Sequence, residues 1–501
     1  MQMRNHSLIA VAVAIFAAGC SFQPKYERPA APVAGAFPSS GVYATQPAAE
    51  PGRSAGGLAA SDIGWRNFFA DERLQRLIDI ALKNNRGLRV SVLNVEAARA
   101  QYRITRAGLF PTIDAVGEKS VTRTPKNLTF AGQTISNQYQ VGLNTSWEID
   151  FWGRIRSLKD QALEQYLSTA QARKAAEISL VSQVADEYLQ VLAYDDLLKV
   201  TEGTLKTAQD SYDLTKLQFD NGTGSELDLR QAETVLEQAR ANREAEARLR
   251  AQAENALVLL IGQPLPDDLP AGRTLGEQGL LADIPAGLPS DLLARRPDIM
   301  EAEATLRAAN ANIGAARAAF FPKISLTGSF GTASPTLGGL FKPGQAAWSF
   351  TPDITLPIFE GGQNIANLDY ANIQKRIEVA NYEKAIQSAF RDVADGLAAR
   401  STYDAQISAL ERNTFAEQRA FDLSQLRYKN GVDSYLQVLT AQTNLYSAQQ
   451  SLINARVARL TNLVDLYVAL GGGWLQQTGE APRAADAPAD YGSDAKAAPA
   501  S

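Results

Sequence analysis

The sequence predicts a mixed α/β membrane protein made of two tandem repeats, each joining a long helical coiled-coil hairpin to two strands. Three observations predict it. The first is internal repetition: "RAGLFPTIDAVG" (106–117) returns as "RAAFFPKISLTG" (317–328). Likewise 212–240 aligns without a gap on 421–449, with 11 of 29 positions identical. A period near 210 residues is too long for a solenoid repeat and marks duplication of a whole unit. The second is proline, which is absent between Pro125 and Pro264 and between Pro357 and Pro482. Proline costs about 3 kcal/mol inside a helix, so these gaps are where long helices can form. The third is strict alternation of apolar and polar residues in short stretches between the helices.

The elements follow in order. "MQMRNHSLIAVAVAIFAAGC" has a basic start at Arg4, an apolar run from Leu8 to Ala18, then Gly-Cys. That is the order of a signal peptide over 1–19, with an apolar run too short to span a bilayer. Residues 20–60 are rich in Pro, Ala, Gly and Ser and read as an extended tether. The first repeat covers 61–262, with strands at 112–124 and 138–149 and a helical hairpin turning near 221–225. Between Arg154 and Asn221 only Gly203 interrupts the helical composition. An unbroken helix there is about 100 Å long at ~1.5 Å per residue. Residues 263–296 join the repeats. The second repeat covers 297–474, with strands at 322–334 and 348–358 and a hairpin turning near 430–434. In its last helix Tyr446, Ile453, Val457, Leu460, Val464 and Tyr467 follow the spacing of a coiled-coil seam. Residues 475–501 read as a disordered tail. Asn221-Gly222 and Asn430-Gly431 are the breaks in the two hairpins, because Gly and Asn tolerate the left-handed backbone that ends a helix.

The strands alternate in a way that fits a half-buried sheet or the wall of a membrane barrel. Tyr139, Val141, Leu143, Thr145, Trp147 and Ile149 point one way, and Gln138, Gln140, Gly142, Asn144, Ser146 and Glu148 the other. Strands of this length match the ~9–11 residues of a bilayer crossing. Tyr139, Trp147, Trp348 and Phe350 fall near strand ends, as interfacial aromatics do. Two hairpins supply four strands, whereas membrane barrels need at least about eight. A barrel must then be shared among two, three or four chains.

The residue inventory excludes several chemistries. The only histidine is His6 and the only cysteine is Cys20. Cys/His zinc sites, Cys/His nucleophile pairs and Ser-His-Asp triads are therefore out once the leader is removed. Among 54 acidic residues no carboxylate pair stands apart from solvated helix faces, so no enzyme, metal site or cofactor is expected. A net charge of −5 argues against nucleic-acid binding. Met300 is the only methionine beyond the start region, which disfavours a thioether path for copper or silver. A non-pore coiled-coil envelope lipoprotein is the reading outside this class, and the alternating strands argue against it.

These segments carry a family resemblance. "WEIDFWGRIRS", "TLPIFEGG", "GLPSDLLARRPDI", "ANIGAARAAFFP", "AFRDVADGLAAR" and "LYVALGGGW" resemble outer-membrane factors of tripartite efflux pumps. The likeness is to the TolC superfamily, and within it to the OprM-type (NodT) lipoproteins, over about 60–475. The resemblance implies a homotrimeric twelve-stranded outer-membrane barrel, with a helical tunnel projecting into the periplasm of a Gram-negative cell. It implies a lipid on Cys20, with Ser21 behind it matching outer-membrane sorting. The implied partners are a periplasmic adaptor meeting the tips at Asn221, Gly222, Asn430 and Gly431, and an RND-type inner-membrane transporter. Type I protein secretion and metal-ion efflux use the same architecture. The implied periplasmic gate falls on Tyr428, Leu436, Thr440 and Thr443, with Asp228 and Arg230 from the first hairpin. Relatives place an acid and an arginine where this chain has Thr440 and Thr443, so an ionic constriction would depend on Asp228 and Arg230.

Overall fold

A computed structural model describes residues 21–43, 58–125, 127, 135–281 and 289–481. In chain order the helices and strands are α1 (Trp65–Phe68), α2 (Glu72–Asn84), α3 (Arg86–Ala107), β1 (Thr112–Arg123), β2 (Ile135–Ile149), α4 (Arg154–Asp220) and α5 (Glu226–Ile261). The joining segment holds α6 (Pro289–Arg295), and the second repeat supplies α7 (Pro297–Ala318), β3 (Lys323–Ser334), β4 (Ala346–Thr355), α8 (Gln363–Lys429) and α9 (Tyr435–Ala469). Helices α4 and α8 each run 67 residues without a break. No described helix is long and apolar enough to cross a membrane.

The chain divides into two compact units. One comprises the N-terminal stretch to Ala30, Asn94–Thr169 and Glu301–Glu383. It holds a single antiparallel sheet of order β1-β2-β3-β4, so the two repeats contribute adjacent hairpins. Registers such as Leu143 opposite Phe330, and Phe330 opposite Trp348, carry one face through all four strands. That face bears Ile113, Val141, Leu143, Trp147, Phe330, Trp348, Phe350 and Ile354, all exposed. The other bears Gln140, Asn144, Ser146, Ser325, Thr327, Ser329, Ser349 and Thr351. Gly142 and Gly331 stand opposite each other on this polar face. A Cβ on Gly331 would sit 2.2 Å from the Val141 carbonyl oxygen and 2.5 Å from the Gly142 Cα. Only glycine lets β2 and β3 approach this closely.

All four strands differ from expectation in their bounds, β1 and β3 by one residue at one end and β2 and β4 by more. β2 starts at Ile135, not 138, because Arg123 of β1 is still there to pair with it. β4 spans Ala346–Thr355, not 348–358: Thr355 pairs with Lys323, the first residue of β3, so nothing lies opposite residues 356–358. Pro357 has no N–H to offer in any case.

The stretch predicted as a tether is fastened where it is described in this unit. The Phe22 ring stacks on Phe321 at 4.4 Å and on Trp152 at 6.0 Å. Arg28 grips Glu303 with two hydrogen bonds of 2.9 and 2.8 Å, and Asn310 donates to the Pro24 carbonyl at 2.8 Å. The Tyr26 hydroxyl, also on Glu303 at 3.2 Å, has its pKa pushed up to about 12 by burial and by that negative charge. Gly314 admits the segment, since a Cβ there would meet the Gln23 Cα at 2.9 Å. A composition rule averages over these four anchors and misses them.

The second unit comprises Ala31–Leu93, Ala170–Met300 and the chain from Lys384. Its core is helical. In α9, Ile453, Val457, Leu460, Val464 and Tyr467 of the predicted seam are buried, while Tyr446 at its start is half-buried. Phe68 stacks on Tyr467 at 4.1 Å, and the Tyr467 hydroxyl donates to the Ile63 carbonyl at 2.6 Å. Of the stretch 475–501 predicted as a disordered tail, residues 475–481 are held in place and 482–501 lie outside the described residues. Leu475 is buried, and its carbonyl accepts from the Trp65 N–H at 2.9 Å. The Thr478 hydroxyl accepts from the Gly64 N–H at 3.1 Å. Local composition is blind to this strand-like pairing with a segment some 400 residues away.

Candidate functional site

The two hairpin tips lie in the second unit. α4 ends at Asp220, and Gly222 turns the chain with φ +68°. The Asn221 side chain donates back to the Leu217 carbonyl at 2.7 Å. In the second copy Gly431 has φ +71°, and Asn430 donates to the Leu426 carbonyl at the same distance. The turns are alike but their braces differ. Arg427 clasps Asp433 across the second tip at 2.5 and 2.9 Å, which holds the Asp433 carboxyl below its ordinary range. The first copy has Gln218 and Gly224 at these positions. There the Gly224 N–H donates to the Gln218 carbonyl at 3.0 Å.

The freed Gln218 side chain takes another role. Its oxygen accepts from the Tyr428 hydroxyl at 2.9 Å, joining the first hairpin to the second. Tyr428 also packs on Tyr435 at 5.2 Å, beside a core of Ala232, Phe421, Tyr435, Val438, Leu439 and Leu445. Burial raises the Tyr428 pKa, and the Asp228 charge raises it further.

Within one copy, each of the two charged residues singled out in the first hairpin bonds to its own helix. Asp228 closes the start of α5. Its N–H donates to the Ser225 hydroxyl oxygen at 3.1 Å, and that hydroxyl donates to the Asp228 carboxylate at 2.9 Å. Arg230 reaches Glu233 at 2.8 Å and Glu226 at 3.5 Å on its own helix. Among the described residues no ion pair joins Asp228 to Arg230. The threonines are also turned inward to their own helix. Thr440 donates to the Leu436 carbonyl and Thr443 to the Leu439 carbonyl, each at 2.9 Å. Their donors are therefore spent, and Leu436 stands exposed beside them. Cys20, where a lipid is expected, lies outside the described residues.

Sequence reading missed a polar connection further along the helices. Glu246 of α5 is buried, with Tyr446 of α9 donating to it at 3.0 Å and Gln450 of α9 at 3.4 Å. Thr201 of α4 also bonds Glu246, and its hydroxyl lies 2.9 Å from that of Tyr446. The one available signal was an acid at a position otherwise suited to an apolar seam.

A sheet with one exposed apolar face and one polar face, joined to helices too polar for a bilayer, defines an outer-membrane channel component. The family described as outer membrane efflux protein matches residues 77–263 and 288–472, and the chain belongs to it. It is 50% identical over 478 residues to the toluene efflux pump outer membrane protein TtgC of Pseudomonas putida, covering 95% of this chain and 97% of that one. It is 44% identical over 482 residues to the outer membrane protein OprJ of Pseudomonas aeruginosa, covering 95% and 97%. Its fold is similar to the open state of the MtrE outer membrane channel of Neisseria gonorrhoeae. The TM-score is 0.81 and the identity 42%, covering 92% of this chain and 100% of that one. The chain is thus an outer-membrane efflux channel protein, and its family is one of ducts, not of enzymes.

Proposed function

We propose that three copies of this chain form the passive exit duct of a tripartite efflux pump. The observation that carries this reading is the sheet. Its apolar face has nothing of the described chain against it, and its edges β1 and β4 are unpaired. Four strands cannot close, and three copies supply more than the ~8 a membrane barrel needs. The polar faces then line the pore. An RND-type inner-membrane transporter supplies the energy, and a periplasmic adaptor meets the tips at Asn221, Gly222, Asn430 and Gly431. The duct works without a cofactor or metal, and acylated Cys20 anchors it. The relatives named for toluene and antibiotic efflux support small apolar cargo.

Tyr428, Leu436, Thr440, Thr443, Asp228 and Arg230 form the mouth in this reading. Aromatic packing and the Tyr428–Gln218 bond hold it shut, in place of a salt-bridge lock. The test places single cysteines at Ser120 in β1 and Ser349 in β4 of a Cys20→Ala chain. Disulfides between copies should give a covalent trimer on a denaturing gel. A dimer or tetramer ladder, or no crosslink at any paired edge position, refutes the shared barrel.

A further inference from the structure

The apolar face of the sheet is not uniformly apolar. Lys119 and Arg123 of β1 lie on it, in line with Ile113, Ala115, Gly117 and Val121. No acidic residue shares that face in any strand. Asp114, Glu118, Glu148 and Asp353 all lie on the opposite face, as does Lys323. Among the described residues no carboxylate pairs with Lys119 or Arg123. Among the described residues the partner of Lys119 is aromatic: its ammonium lies 5.5 Å from the ring centroid of Tyr139, its opposite residue in β2.

Their height on the wall is informative. Trp147 and Tyr139 are eight residues apart on the same face of β2. That is about 26 Å along the strand at ~3.3 Å per residue. At a barrel tilt near 40° it is about 20 Å along the membrane normal, close to the ~25 Å apolar band between two aromatic girdles. Lys119 therefore stands level with one girdle, and Arg123 about 10 Å beyond it. The cost of a lipid-facing cation is large at the midplane and falls away at the interface, so these unpaired charges sit where they are tolerated. The girdle at Tyr139 is the one away from the helices. α3, α4, α7 and α8 all join the sheet at the end where Thr112, Ile149, Lys323 and Thr355 lie. With the helices in the periplasm, the Tyr139 end is in the outer leaflet, which in such membranes is a phosphorylated glycolipid.

We propose that Lys119 and Arg123, with Tyr139 as the platform, form a binding site for the phosphates of the lipid A moiety in the outer leaflet. This rests on the reading that the sheet lies in the outer membrane. Two cations and no anion on a wall whose other side chains are apolar or uncharged (Asn137, Thr145, Thr332 and Ser334 among them) match a ligand with anionic headgroup and acyl chains. Free phosphate would gain only the charge.

The test uses full-length protein extracted from outer membranes in mild detergent. Diphosphoryl lipid A should raise its melting temperature at concentrations where inorganic phosphate or dephosphorylated lipid A does not. K119Q/R123Q should weaken apparent lipid A affinity about thirtyfold, the combined effect of two near-surface cations. Lys119→Arg should retain it, and the inner-face control Glu118→Gln should leave it unchanged. Equal affinity in K119Q/R123Q, or equal stabilisation by inorganic phosphate, overturns the site while leaving the membrane reading intact. A wild-type chain absent from the outer-membrane fraction overturns both.

Discussion

Asp186 shows what a single carboxyl does in this helical packing. One oxygen accepts from the Ser182 hydroxyl at 3.1 Å, and the other is buried with no partner. Burial, with the nearby Asp465 charge, pushes its pKa up to about 7. A raised carboxyl pKa means the fold favours the protonated form. The associated stabilisation is complete below the unfolded value near 4 and is lost as pH rises through about 7. Asp186→Asn should therefore stabilise the protein at pH 8, by on the order of 1–3 kcal/mol, and have little effect near pH 4. Thermal melts of both proteins at the two pH values check this, and an equal shift at both would refute it. Asp228 poses a different question, whether its charge or its cap matters. Asp228→Ala should loosen the first turn of α5 by about 1 kcal/mol and sensitise cells to vancomycin. Asp228→Asn keeps an oxygen for Ser225 and should behave as wild type. If Asn sensitises as strongly as Ala, the charge itself closes the mouth.

At the scale of elements, the sheet and hairpins were readable in the sequence to different degrees. Alternation in β2 and β3 gave their faces directly, because the side-chain period of a strand is two and each residue votes. β1 alternates less cleanly since Lys119 and Arg123 occupy its apolar face. The tips were legible because Asn-Gly ends a helix by backbone geometry alone. The mouth was not. Asp228 and Arg230 are visible as charges, but the partners each takes within the copy, Ser225 and Glu233 on the same hairpin, are not marked by composition. The bond from Tyr428 to Gln218 spans 210 residues and leaves no local trace. The opposed glycines on β2 and β3 were equally silent. Gly331→Ala should force the two repeats' hairpins apart, costing about 1–3 kcal/mol and lowering the yield of heat-stable oligomer. Unchanged melting and yield would show that the strands can yield at this point.

On the scale of the molecule, duplication gave one chain two versions of the same tip, and they have diverged in their bonding. Arg427–Asp433 stiffens the second, while Gln218 in the first is released to reach across to Tyr428. The sheet has a broader consequence, for how such a protein comes to exist at all. A newly exported copy carries two open hydrogen-bonding edges and a row of bare aromatic side chains, the profile of a chain that sticks to any neighbour. A solitary copy has no safe resting state. Under the shared-barrel proposal, its maturation is a race between meeting its own kind and clumping on the way to the outer membrane. The odds in that race depend on local abundance, so escort factors and expression level decide the supply of working ducts as much as sequence stability does.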